Sequence, residues 1–97
     1  MGVKHSREYT IIIEELMSAV MQVDNFYQFV EMTQTHWQSL DISEQVEMTR
    51  TIADDLLYGL ELEANIELGS GLVSYDRANH TITVSSNDQL VKQISLV

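Results

Sequence analysis

The hydrophobic pattern of the chain changes period near residue 60. Before it, apolar residues recur every three or four positions; after it, they alternate with polar ones. Over residues 7–23, Tyr9, Ile13, Leu16, Val20 and Val23 form one helical stripe, widened by Ile12 and Met17, with Ser6 as the expected N-cap. A second stripe runs through Phe26, Phe29, Val30, Thr33, Trp37 and Leu40. A helix continuing from the first would turn its apolar face by about 100° at residues 24–25, and one straight helix cannot bury both stripes against one core. Asp24-Asn25 supplies capping chemistry for a fresh start, so two helices are expected; a single kinked helix is the alternative. A third helix opens at Asp41-Ile42-Ser43-Glu44, a capping-box pattern, and its expected buried stripe is Ile42, Val46, Ala53, Leu56, Leu57 and Leu60. Gly59 stands where a left-handed C-terminal residue belongs.

Residues 60–68, LELEANIEL, alternate strictly and predict a strand with one buried and one wet face. Gly69-Ser70-Gly71 predicts a turn. LVSY (72–75) and HTITVS (80–85) flank Asp76-Arg77-Ala78-Asn79, read as a hairpin loop with Asn79 at positive φ. Ser86-Asn87-Asp88 predicts another turn, and residues 89–97 a last strand with Leu90, Ile94 and Leu96 on one face. The expected fold is α+β: three N-terminal helices packed on an antiparallel meander of three to four strands, in one domain. The helical part covers about residues 6–58 and the β part about 60–97.

Length and composition agree with a single small core. The chain has 97 residues, 44% of them hydrophobic, and neither proline nor cysteine. Without cysteine there is no disulfide and no thiolate metal site, which fits a cytoplasmic protein. The start, MGVKHSREY, has no apolar run of signal-peptide length, and Gly2 through Ser6 fits a myristoylation pattern only loosely. No apolar stretch is long enough to span a membrane. Asn79-His80-Thr81 fits a glycosylation sequon, expected to stay unmodified without a secretory signal.

Charge changes the picture most. The net charge is −10, and between Glu8 and Asp76 fourteen acids face one base, Arg50. Such a field repels phosphate backbones and anionic membranes and attracts basic protein surfaces. It also serves solubility alone, so two readings stand.

Catalytic and metal-binding motifs are missing. There is no GxxxxGK[ST], GxGxxG or HExxH, and no nucleophile elbow. His5, His36 and His80 are scattered; His36, beside Trp37, reads as a partly buried structural residue. No calcium loop can be built from Asp76 onward. The carboxylate pairs Glu14/Glu15 and Asp54/Asp55 diverge by about 100° on their helices, so neither forms a catalytic dyad alone. No enzymatic activity, cofactor or metal is expected.

Three helices followed by a hairpin resemble the element order of winged helix-turn-helix domains. The third helix would then be the reader, but its outer face carries Glu44, Glu47, Asp54 and Asp55 against Arg50, and groove readers need basic or amide side chains. Direct nucleic-acid binding is therefore not expected. On that outer face, Glu47, Thr51, Asp54 and Tyr58 fall at about 120–180° from the buried stripe, with Glu44 and Asp55 at about 200–220°. Helix one adds Ile11, Glu14 and Glu15. Glu44, Glu47, Asp54, Asp55, Tyr58, Glu14 and Glu15 are thus the candidate contacts for a basic protein partner. Tyr58 either folds onto the sheet or faces a partner. In smallness, acidity and lack of cysteine the chain is similar to immunity proteins, antitoxins and phage-type inhibitors, of which a DNA mimic is the extreme form. The competing reading is a structural or oligomerising domain, which predicts a homodimer.

Overall fold

A computed structural model describes residues 6–97; the myristoylation pattern at the N-terminus and His5 lie outside the described residues. Helices precede a four-stranded antiparallel sheet, which makes the fold α+β. The strands are β1 (Asn65–Leu68), β2 (Gly71–Asp76), β3 (Thr81–Ser86) and β4 (Gln89–Ser95), laid side by side in that order. Ahead of them come α1 (Tyr9–Val20), a 3₁₀ helix (Phe26–Val30), α2 (Gln34–Ser39) and α3 (Ile42–Gly59). Helix α1 packs on α3 and on β4, and the 3₁₀ helix lies against β1. The core lies between the helices and one sheet face, where Leu68, Val73, Ile82, Val84 and Ile94 are buried.

Two of the three β-turns are two residues long. Leu68 pairs with Gly71 around Gly69-Ser70, and Ser86 pairs with Gln89 around Asn87-Asp88. Asn87 and Asp88 both take positive φ, 52° and 65°, as the hairpin turn that matches strand twist requires. Gly69 also has positive φ, and a Cβ there would stand 2.3 Å from the Asn25 carbonyl oxygen, so a side chain is excluded twice over. In the third turn Asp76 accepts hydrogen bonds from the Asn79 amide N–H (3.1 Å) and side-chain amide (2.6 Å). The positive φ expected at Asn79 falls instead on His80, one residue before β3. The Asp76 bonds hold Asn79 and pass the left-handed step to its neighbour.

The nine-residue alternation yields only a four-residue strand. The amides of Glu61, Leu62 and Glu63 donate back to the carbonyls of Tyr58 and Gly59, so residues 60–63 wind off the helix end. Unpaired carbonyls at a helix end are satisfied locally before a strand partner comes within reach. Leu60 is buried, but Leu62 is 79% exposed. Gly59 is helical, not left-handed. Its smallness serves packing, because a Cβ there would meet the Ile66 side chain at 2.8 Å. In β4, Val84 faces Lys92 while Ser85 faces Leu90, so the extra residue Val91 makes a bulge. The bulge reverses the side-chain parity and leaves Leu90 exposed while Ile94 and Leu96 are buried.

In the helical half, the break at Asp24-Asn25 is present, with Asn25 at φ 60°. The helix expected beyond it is not continuous. Glu31 also takes positive φ, and α2 starts afresh with Thr33 as N-cap, its hydroxyl accepting from the His36 N–H at 3.1 Å. Ring packing explains the fold-back. A continuous helix would hold Phe26 and Trp37 about 16 Å apart along its axis. Instead Trp37 meets Phe26 edge-on at 4.9 Å and stacks on Tyr27 at 6.2 Å. Trp37 is half-buried, while His36 is exposed rather than partly buried as expected.

The N-cap of α1 is Glu8, not Ser6. Ser6 and Arg7 instead donate backbone hydrogen bonds to the Leu96 carbonyl, tying the two ends of the fold together. The capping box of α3 is complete: Glu44 N–H donates to Asp41 Oδ1 (2.8 Å), and Asp41 N–H donates to Glu44 Oε1 (3.0 Å). Ala53, Leu56, Leu57 and Leu60 are buried as expected, joined by Thr49 and Ile52. Ile42 and Val46 are not; they are 81% and 47% exposed. Helix α3 has 18 residues and α1 has 12. At about 27 and 18 Å, these lengths mean that α1 cannot cover all of α3, and Ile42 and Val46 stand exposed in its first turns. Tyr9 is likewise half exposed at the start of α1 rather than buried in its stripe.

Candidate functional site

The outer face of α3 follows from its capping box and its buried stripe. The cap fixes where the helix starts, and burial of Ile52, Ala53, Leu56 and Leu57 fixes its rotation. Glu44, Glu47, Asp55 and Tyr58 are then turned to solvent. Tyr58 is 62% exposed in the last turn, so it does not fold onto the sheet.

The other candidates divide. Asp54 is half-buried at the α1–α3 seam and accepts a hydrogen bond from the Tyr9 hydroxyl at 2.5 Å. Partial burial, then this bond to a carboxylate, push the Tyr9 hydroxyl up to about 12. Asp54 therefore braces two helices and is not part of an open acidic column. Glu15 forms an ion pair with Arg7, whose guanidinium also donates to the Ser95 carbonyl oxygen at 2.8 Å. The hydrogen bonds from Arg7, with a further contribution from Lys92, hold the Glu15 carboxyl below its ordinary value. Glu14 faces solvent on α1 beside the 43%-exposed Ile11. The seven candidates thus comprise three outward carboxylates and a tyrosine on α3, one outward carboxylate on α1, and two carboxylates used inside the fold.

Arg7–Glu15 is the one ion pair among the described residues, so fourteen of the fifteen acids form none there. Where α2 meets α3, an open groove of about 280 Å³ is lined by Leu40, Glu44, Glu47, Met48 and Thr51. Sequence reasoning set Glu44 and Glu47 on the outer face of α3 and Leu40 in a buried stripe, and it found neither the groove nor Met48. The signal for Met48 was its position one helical turn beyond Glu44. A second depression, of about 370 Å³, lies at the hairpin end of the sheet and is lined by residues that include Glu67, Ser70, Leu72, Ser85 and Asp88.

No family model matches the chain, and no curated protein or solved structure matches it either. The chemistry must therefore be read from the residues. Among the described residues no three acidic or histidine side chains converge as metal ligands. No described helix is long and apolar enough to cross a membrane.

Around the turn after α1, polar side chains serve the fold. Asp24 N–H donates to Ser86 Oγ (3.1 Å), Asn87 Nδ2 donates to Asp24 Oδ2 (2.8 Å), and Asn25 Nδ2 donates to Ser70 Oγ (3.1 Å). These bonds dock the loop onto both two-residue β-turns, so the Gly69-Ser70-Gly71 segment acts as a folding corner.

Proposed function

We propose that this protein is a small acidic binding module that covers a basic surface of a partner protein, in the manner of an inhibitor, immunity protein or antitoxin, with DNA mimicry as the extreme form. The observation that carries this reading is the outward face of α3, where Tyr58 stands 62% exposed on the same face as Glu44, Glu47 and Asp55. Tyrosine combines apolar area with a polar tip and is enriched at interfaces, and unpaired carboxylates of one sign steer a basic partner. Arg50 is the single base between Glu8 and Asp76, so little offsets that field.

The competing reading, a self-associating domain, meets an obstacle at β4. Its edge carries a bulge at Val91 and a lysine at 92, both of which blunt strand-to-strand pairing between copies.

The test is to isolate binding partners at low salt, purify the captured protein, and measure its affinity directly at increasing ionic strength. The expected partner has an excess of Lys and Arg. Its affinity falls with salt and weakens when Glu47 and Asp55 are both changed to Lys. A salt-indifferent homodimer with no basic partner would overturn the proposal.

A further inference from the structure

Resting on the proposed reading, we infer that the α2–α3 groove is the seat for one arginine side chain projecting from the partner's basic surface. Its lining has a marked asymmetry. Leu40 and Met48, both half-buried, give it apolar walls, while Glu44 and Glu47 stand three residues apart on one helix face.

The polar atoms that line it are acceptors. Glu44 Oε1 already accepts the Asp41 N–H at 3.0 Å, so the capping box holds this carboxylate in place before any ligand arrives. Its second oxygen has no partner among the described residues. The Thr51 hydroxyl spends its proton on the Glu47 carbonyl oxygen at 3.1 Å, which leaves it able only to accept.

A site with apolar walls and acceptors alone calls for a ligand with donors alone on an apolar stem. Guanidinium carries five donors and no acceptor, spreads them in a fork that can serve two carboxylates, and has flat faces that pack on Met and Leu. Ammonium has three donors on a compact, strongly hydrated head and uses such walls poorly. A divalent cation is not favoured, because only two carboxylates line the groove. A volume of about 280 Å³ has room for one such side chain.

The probe is N-acetyl-arginine amide, titrated into the ¹⁵N-labelled full chain and followed by amide chemical shifts. Its neutral isostere N-acetyl-citrulline amide and the matching lysine compound serve as comparisons. The expected result is a saturable response centred on Leu40, Glu44, Glu47, Met48 and Thr51. Citrulline should bind at least about tenfold more weakly, and lysine should be weaker than arginine. Changing Glu44 and Glu47 together to Gln, which keeps the capping box, should weaken arginine binding about tenfold, while changing the exposed Glu63, away from the groove, to Gln leaves it unchanged. Shifts scattered over all carboxylates, an equal response to lysine, or full binding by the double Gln variant would each overturn the inference. The two proposals fail separately. Arginine seated in the groove with no basic protein captured sinks the partner reading alone. A basic partner whose affinity ignores the double Gln change sinks the groove assignment alone.

Discussion

Tyr9 of α1 and Asp54 of α3 are joined by a 2.5 Å hydrogen bond from the tyrosine hydroxyl to the carboxylate. The bond reaches across 45 residues of sequence and fastens the start of one helix to the second half of the other. It turns a residue that looks like part of an acidic surface into a structural brace.

The brace makes a prediction in alkali. Tyr9 ionises at about 12 in the folded protein, against an ordinary value of 10.0. A raised tyrosine favours the folded state below the ordinary value, and that contribution is lost as pH rises from about 10 to 12. Tyr9→Phe should remove an absorbance step of tyrosinate near pH 12. It should cost only about 0.5–1 kcal/mol at neutral pH, because half the side chain is in water. A titration of the variant that keeps the step would show that another tyrosine carries it.

In acid the opposite sign applies. Glu15 is held below its ordinary 4.5 chiefly by hydrogen bonds from Arg7, so its contribution is complete above that value and is lost as pH falls through the folded one. Glu15→Gln should lower the melting temperature at pH 7, and the gap between variant and parent should shrink as pH drops below the ordinary 4.5. Thermal melts at successive pH values measure this directly. A constant gap down to the lowest pH would mean that the ion pair contributes nothing through charge.

Gly69 gives a backbone test. Its φ is +55°, and a Cβ would collide with the Asn25 carbonyl oxygen at 2.3 Å and the Asp24 carbonyl oxygen at 2.6 Å. Gly69→Ala should destabilise by about 2–4 kcal/mol, more than left-handed strain alone, since the docked loop must also move. Denaturant unfolding of the variant reports the value. Gly71→Ala meets the Ser85 carbonyl oxygen at 2.1 Å and should cost a similar amount.

Local chemistry made much of the fold legible. The capping box at Asp41 and Glu44, the break at Asp24-Asn25, the turns at Gly69-Ser70 and Asn87-Asp88, and the cores of β2 and β3 follow from short stretches that determine their own geometry. What could not be read depends on partners distant in sequence. The stripe from Phe26 to Leu40 has helical spacing, but Trp37 gains more from Phe26 and Tyr27 than the helix gains from continuing. The alternation from Leu60 to Leu68 has strand spacing, but its first half lies beside free helix carbonyls. The candidate site was half legible for the same reason. Periodicity finds an outward face, yet it cannot reveal that Arg7 takes Glu15 or that Tyr9 takes Asp54.

The N-terminal turns of α3 offer the sharpest contrast between pattern and packing. Ile42, Val46, Leu56 and Leu60 share one helical stripe, yet Ile42 is 81% exposed and Leu56 is fully buried. Ile42→Ser should therefore change stability by less than about 0.5 kcal/mol, the range of ordinary surface substitutions. Leu56→Ala removes packed core atoms and should cost about 2–5 kcal/mol. Chemical denaturation of the two variants side by side checks the pair. Ile42 sits at the first position after the Asp41 cap, where its side chain meets no opposing helix, so the cap should persist in the Ser variant. Equal losses from both substitutions would mean that Ile42 is covered in solution, and a concentration-dependent loss would identify a second copy of the chain as the cover.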